Sequence, residues 1–221
     1  DFSCLSPAAR HSRVVVAANY QLITDNLMDL SHIEFVHTGT FGGAGVIFKG
    51  KHEVKQEGDS IWSNWWMPNI DPPPWAAGIL PEMKLDHWLD MRWNAPASMM
   101  LDTGICPAGS VGRAGPVPPE RDCHILTPET ELSTHYFYTS SEMQAAADVD
   151  KAYYDEDKPI LEAVQRSMGD ADFWGKKPVI LSVDAGAVRV RHRLAKLILD
   201  ERGVTSPVSA EQIEGVAPGS S

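Results

Sequence analysis

A row of polar side chains inside an apolar helical stretch constrains this chain more than any other feature. Between Tyr20 and about Val36, the residues Leu22, Ile23, Leu27, Leu30, Ile33 and Phe35 recur at three- and four-residue steps, which predicts one helix. Within it stand Asp25, Asn26, Asp29 and His32, with His37 just beyond. Asn26, Asp29 and His32 follow at three-residue steps, so on an ideal helix they stack along one face. A helix apolar on most other sides must be buried, and the polar row is buried with it. Left without partners, such groups cost about 1–3 kcal/mol each. The fold must therefore bring them hydrogen bonds or a metal ion.

His37 tests that choice. Five residues at about 100° each put it roughly 140° around an ideal helix from His32. The two imidazoles converge only if the helix loosens, ends between them or contains a π-bulge; the glycines from Gly39 onward favour an early end. Two histidines and a carboxylate form the facial triad of non-haem Fe(II) oxygenases, with the opposite side open. The candidate carboxylates stand in Asp155-Glu156-Asp157, and spacing does not choose among them. A hydrogen-bonded histidine pair without metal stays open as the alternative, as does an acidic trio that merely complements a helix dipole.

The rest of the chain alternates short strand-like runs with breakers. Strands are expected over 13–18, 45–49, 61–67, 88–93, 97–105, 124–127 and 134–139, with a turn at Glu57-Gly58-Asp59. The proline-rich stretch 68–82 is expected to be an irregular lid or rim. Helices are expected over about 150–168 and 184–201, closed by Gly169 and Gly203. Helix, strands, then helices predicts an α+β fold.

Composition narrows the function. A net charge of −11 leaves no basic surface for phosphates, so no nucleic-acid partner is expected. Cys4, Cys106 and Cys123 lie far apart, with no C-x-x-C or C-x-H pair, so the chain carries no zinc ribbon or iron–sulfur ligand set. Free thiols fit a reducing compartment, and no apolar run approaches the ~20 residues of a membrane span. With no signal peptide read either, a cytoplasmic protein without membrane attachment is expected.

The run Asn19-Tyr20-Gln21-Leu22-Ile23-Thr24-Asp25-Asn26-Leu27-Met28-Asp29-Leu30-Ser31-His32, followed by His37, resembles the iron-binding motif of Rieske oxygenase catalytic domains, as in vanillate and dicamba O-demethylases. His124-Ile125-Leu126-Thr127-Pro128-Glu129-Thr130, Glu156-Asp157-Lys158 and Asp184-Ala185-Gly186-Ala187-Val188-Arg189 agree with that group in the same order. The resemblance implies a helix-grip fold, of the START or SRPBCC type, in which a curved antiparallel sheet wraps a long helix around an apolar cavity. It implies His32, His37 and Asp157 as ligands of a mononuclear Fe(II). Asp29 would be the bridging residue through which electrons arrive from a Rieske [2Fe-2S] cluster of a neighbouring subunit, and its carboxylate is expected to hold a ligand histidine. Asn26 would lie close to the iron. O2 would be co-substrate, a reductase or ferredoxin the electron donor, and the full-length form a homotrimer.

The C-x-H…C-x-x-H set of the family's Rieske domain is not found. Residues 1–205 therefore read as the catalytic domain, not expected to turn over alone, and 206–221 as a flexible tail. The implied reaction is monooxygenation of a small aromatic substrate, by O-demethylation or hydroxylation. Trp62, Trp65, Trp66 and Trp75 are candidate cavity walls or lid, although of the adjacent Trp65 and Trp66 only one can face inward. His124 is a candidate substrate contact for a carboxylate or phenol, and Asp102 another. An ionised Asp102 in the cavity would disfavour an anionic substrate. The Arg189–Arg193 cluster is expected to be a solvated basic face, or a dock for an acidic partner. A metal-free carrier of hydrophobic ligands and a zinc hydrolase are the competing classes.

Overall fold

The computed structural model describes residues 5–38, 40–42, 45–72, 76, 78, 80, 83–140 and 146–203. Cys4, Trp75 and the expected tail 206–221 lie outside them. Seven strands form one antiparallel sheet: β1 Arg10–Val16, β2 Lys51–Glu57, β3 Ser60–Ile70, β4 Leu85–Asn94, β5 Ser98–Pro107, β6 Glu120–Thr130 and β7 Ser133–Ser140. Their order is β1-β7-β6-β5-β4-β3-β2, a meander from β2 to β7 that β1 extends by pairing with β7, Arg10 opposite Ser140. Against it pack α1 Tyr20–Met28 and α5 Ala185–Glu201. A short α2 spans Ile33–Val36, and α3 Ala146–Asp150 leads through a π-helical turn, Lys151–Asp157, into α4 Lys158–Met168. This is the α+β architecture expected. No helix among the described residues is long and apolar enough to cross a membrane.

Four expectations need correction. The single helix over 20–36 is broken: α1 stops at Asp29, whose φ −102° and ψ 81° are not helical, and a 3-10 turn, Leu30–His32, follows. Phe35 is exposed and meets Phe48 rather than the core. Residues 45–49 are not a strand, because the Glu34 carboxylate accepts the backbone N–H groups of Gly45 and Ile47 that a ladder would need. The true partner of β3 is β2, missed because Lys51-His52-Glu53-Val54-Lys55-Gln56-Glu57 is polar, as suits an edge strand.

The remaining two concern proline and arginine. β3 runs on through Pro68 to Ile70 across an irregularity after Met67, where Asp86 accepts the Asn69 N–H at 2.8 Å. Of the arginines of α5, Arg191 is buried rather than solvated, whereas Arg189 stays exposed. Arg189 donates to the Val54 carbonyl, Arg193 to Asp59, and the buried Arg191 forks onto Asp25 at 2.6–3.0 Å, bonds Gln21 and lies over Phe173. Arg191 thereby ties α5 to α1. At the start of α1, Gln165 of α4 accepts the Asn19 N–H, and the Asn19 side chain caps α1 at Gln21. The helix bearing the polar row is thus held at its first turn and at its middle.

Candidate metal centre

His32, His37 and Asp157 converge, each offering one ligand atom, all within 4.8 Å of one another. They meet because the chain departs from ideal helix three times. The break at Asp29 starts a tight 3-10 turn that carries His32, and α2 adds one α-helical turn. His37 then leaves helical geometry at φ −99°, ψ 34°. The following residues fold back so that the His37 carbonyl accepts N–H groups from Thr40, Phe41 and Gly42. Only glycine fits at position 42, since a Cβ would sit 2.0 Å from the Ile33 carbonyl oxygen. The ring centroids of the two histidines end 5.1 Å apart.

The third group arrives by the π-helical turn, in which the Lys158 N–H reaches back five residues to the Tyr153 carbonyl. Glu156 and Asp157 both address His37, from opposite edges. Glu156 takes its Nδ1 at 2.8 Å and is itself held by Thr40 and Lys151, while Asp157 Oδ1 lies 3.4 Å from its Nε2 and 3.7 Å from His32 Nε2. His32 Nδ1 bonds the Asp29 backbone carbonyl. With both Nδ1 atoms donating away, both Nε2 lone pairs turn towards Asp157. Asp157 Oδ1 is buried and has no hydrogen-bond partner among the described residues. Two imidazole nitrogens and a carboxylate oxygen share a space into which the Asn26 amide reaches only at 3.5 Å, from His32 Nε2, an arrangement a cation satisfies.

The same carboxylates act on the titration of the two histidines. Burial pulls the His37 pKa down, but the Asp157 and Glu156 carboxylates more than offset this and raise it. At His32 burial outweighs the pull of Asp157 and lowers the pKa. Glu156 would be raised by burial, yet its bonds to His37, Thr40 and Lys151 hold it below the usual carboxylate range.

Of the other expected residues, Asn26 reaches the centre at 3.5 Å from His32 Nε2. Asp29 adjoins it by an unexpected route: its carbonyl bonds His32, while its carboxylate bonds Ser31. The carboxylate that orients a histidine is Glu156, which sequence spacing left inside an undifferentiated trio.

The centre opens on a cavity of about 370 Å³ bounded by β4, β5, β6, α1 and the π-helical turn, within the range of small-molecule sites. His124 lines it, its Nδ1 2.7 Å from the Tyr136 hydroxyl and its Nε2 without a partner among the described residues. Asp102 does not line it. It lies on the outer face of β5, bonding Trp88 Nε1 and Arg121, because strand alternation turns Leu101 and Thr103 inward instead. Neither Trp62, Trp65 nor Trp66 borders the cavity. Trp65 belongs to the core, and Trp62 and Trp66 stack with arginines on the outer face.

Two lining residues could not be singled out from composition. His87 of β4 bonds the Gly104 carbonyl, and burial lowers its pKa to about 4. Asp122 of β6 is raised to about 7 by burial and then by neighbouring Glu120. Alternation along Glu120, Asp122 and His124, polar residues at three successive inward positions of one strand, was the available signal.

Comparison with known proteins places these features in a family. Residues 16–200 match the family of the vanillate O-demethylase oxygenase C-terminal domain. The chain is 32% identical over 197 residues to the oxygenase component of chloroacetanilide N-alkylformylase from Rhizorhabdus wittichii, covering 83% of the chain and 55% of that protein. It is 33% identical over 217 residues to the dicamba O-demethylase oxygenase component of Stenotrophomonas maltophilia, covering 89% and 62%. The structure of dicamba monooxygenase bound to dicamba superposes with a TM-score of 0.75 at 32% identity, over 92% of this chain and 63% of that one. The chain thus spans about three-fifths of the length of these relatives. With the fold, the three-residue centre and these matches in agreement, the chain belongs to the vanillate O-demethylase oxygenase C-terminal domain family, the catalytic domains of Rieske-type oxygenases.

Proposed function

We propose that this chain is the catalytic domain of a terminal oxygenase component that monooxygenates a small aromatic substrate, by O-demethylation or hydroxylation, at a mononuclear Fe(II). The observation that carries the reading is the buried, unpartnered Asp157 Oδ1 facing two histidine Nε2 atoms at the edge of a mostly apolar cavity. A metal-free carrier would gain nothing from burying that carboxyl group, since a buried polar atom without a hydrogen bond is costly.

In this reading His32, His37 and Asp157 hold the iron, which supplies reductive activation of O2 when bound. Glu156 and the Asp29 carbonyl fix the histidine tautomers, so both Nε2 atoms stay available. Asp29, joined to His32 through its carbonyl, is the route by which electrons from a Rieske [2Fe-2S] cluster of an adjoining subunit reach the centre, within a homotrimer served by a reductase or ferredoxin. Leu89, Met91, Leu101 and Ile105 exclude water around an aromatic ring. His124 Nε2, the unpartnered donor or acceptor in that wall, orients an oxygen of the substrate.

The test is metal analysis of protein purified anaerobically and reconstituted with Fe(II), beside His32→Ala. About one iron per chain, lost in the variant, is expected. A folded protein that binds no iron overturns the reading.

A further inference from the structure

The cavity wall contributed by β6 carries a carboxylate for which the iron centre has no use. Asp122 is 4% exposed, and its Oδ1 has no hydrogen-bond partner among the described residues. Strand alternation sets it on the cavity side with Glu120 and His124, in register with Leu101 of β5. An anion enclosed against leucine and unpaired costs several kcal/mol unless something donates to it. Among the described residues, no donor in the wall reaches that oxygen.

The other carboxylates bordering the cavity have different circumstances. Glu34 is taken up by the Gly45 and Ile47 N–H groups. Asp157 belongs to the metal centre, Asp148 is exposed, and Glu120 lies beside Asp122 and acts against its ionisation. The described lining residues include no Lys and no Arg. The imidazoles nearest β6 supply no positive charge either, since burial holds His124 and His87 at about 4. At pH 8, above the value of about 7 to which burial raises Asp122, a carboxylate or sulfonate group brought to this wall would meet like charge with no Lys or Arg of the described lining to neutralise it. An N–H group would meet an open acceptor.

We propose that Asp122 is a specificity-determining residue, accepting a hydrogen bond from an N–H group of the substrate, so that the cavity selects arylmethylamines or aryl amides over aromatic carboxylates. This rests on the reading of the cavity as the substrate site. The two N–H classes share the recognised chemistry and differ in charge: an ammonium adds Coulombic attraction, whereas an amide gives the hydrogen bond alone. A charge-assisted hydrogen bond in a desolvated wall is worth about tenfold or more in affinity.

Three probes sharing a 4-methoxyphenyl ring decide the matter: 4-methoxybenzylamine, 4-methoxybenzamide and 4-methoxybenzoate, titrated calorimetrically at pH 8 into the Fe(II)-loaded and the metal-free protein. The expected result is that at least one N–H probe binds ten times tighter than the benzoate, the preferred one naming the class. Asp122→Asn should cut the amine-to-benzoate ratio at least tenfold and move the amide least, because an asparagine oxygen still accepts. Should Asp122→Asn fail to fold, Asp122→Ser and the wild-type ratio provide the same test. Benzoate binding as tight as the better N–H probe, failure of both N–H probes to bind measurably, or an unchanged amine-to-benzoate ratio in the variant overturns the proposal. The titration does not depend on turnover. Protein that keeps the probe ratio but holds no iron would lose the oxygenase reading alone, and protein that binds iron with the ratio inverted would lose this one alone.

Discussion

Replacing Arg191 by methionine should destabilise the domain by about 3 kcal/mol at pH 8 and by distinctly less at pH 5. The guanidinium makes three contacts of 2.6–3.0 Å to the Asp25 carboxylate and a fourth bond to Gln21, with both charged side chains largely enclosed. Methionine keeps much of the packing over Phe173 but leaves Asp25 as an enclosed anion with no counter-charge. Removing one partner of such a pair costs about 3–5 kcal/mol; the residual exposure of Asp25 argues for the lower end. Burial raises the Asp25 pKa to about 6 even though Arg191 pulls it down. Without Arg191 it rises further. A carboxyl with a folded pKa above its unfolded value favours the fold at low pH and loses that contribution as pH rises through the folded value. The deficit of the variant must therefore grow with pH. Urea unfolding of both proteins at pH 5 and pH 8 measures it, and for a chain of this size the pH 8 deficit corresponds to a Tm drop of about 6–12 °C. A deficit that is the same at both pH values, or below about 1 kcal/mol, would refute the account of this pair.

Three further outcomes are expected. Glu156→Gln should weaken metal binding about 10–100-fold while Asp155→Asn leaves it unchanged, read by competition with a chelator, because only Glu156 orients His37. His87, held neutral by burial, stabilises the fold fully above pH 6.5, and that stability drains away as pH falls towards 4. His87→Gln should thus lose about 2 kcal/mol less than wild type between pH 7 and pH 5 in urea titrations. Gly104→Ala would put a Cβ 2.3 Å from the Trp88 ring, which its bond to Asp102 holds in place, and should cost about 1–3 kcal/mol. An unchanged Tm would show that the ring can yield.

The strands carrying β-branched and aromatic residues could be read from the chain because their composition and their burial agree. β2 could not: its residues are those of a solvated edge, and only pairing with β3 makes them a strand. The polar row of 20–37 announced a buried site, yet its geometry depends on the break at Asp29, which no propensity signals, since Leu-Met-Asp-Leu continues a helix well. Spacing narrowed the third ligand to three carboxylates. Distinguishing Glu156 from Asp157 required the phase of a π-helical turn, a property of hydrogen-bond register rather than of composition. Asp102 and Asp122 show the same limit, since the strand phase that turns one outward and the other inward is not carried by either residue alone.

That π-helical turn also limits which changes of length the gene can tolerate. Removing any one codon between Lys151 and Glu156 would let the segment relax to an ordinary α-helix, with α4 kept near its place and the side chains of the turn itself shifted round by up to about 100°. Asp157, Leu161 and Gln165 all lie beyond the deletion and would move together, whereas Ala152 and Tyr153, which line the cavity, would be displaced from it. Insertions and deletions should therefore accumulate in the hairpin connections and be purged from this one turn, whose extra residue sets which of its side chains face the cavity.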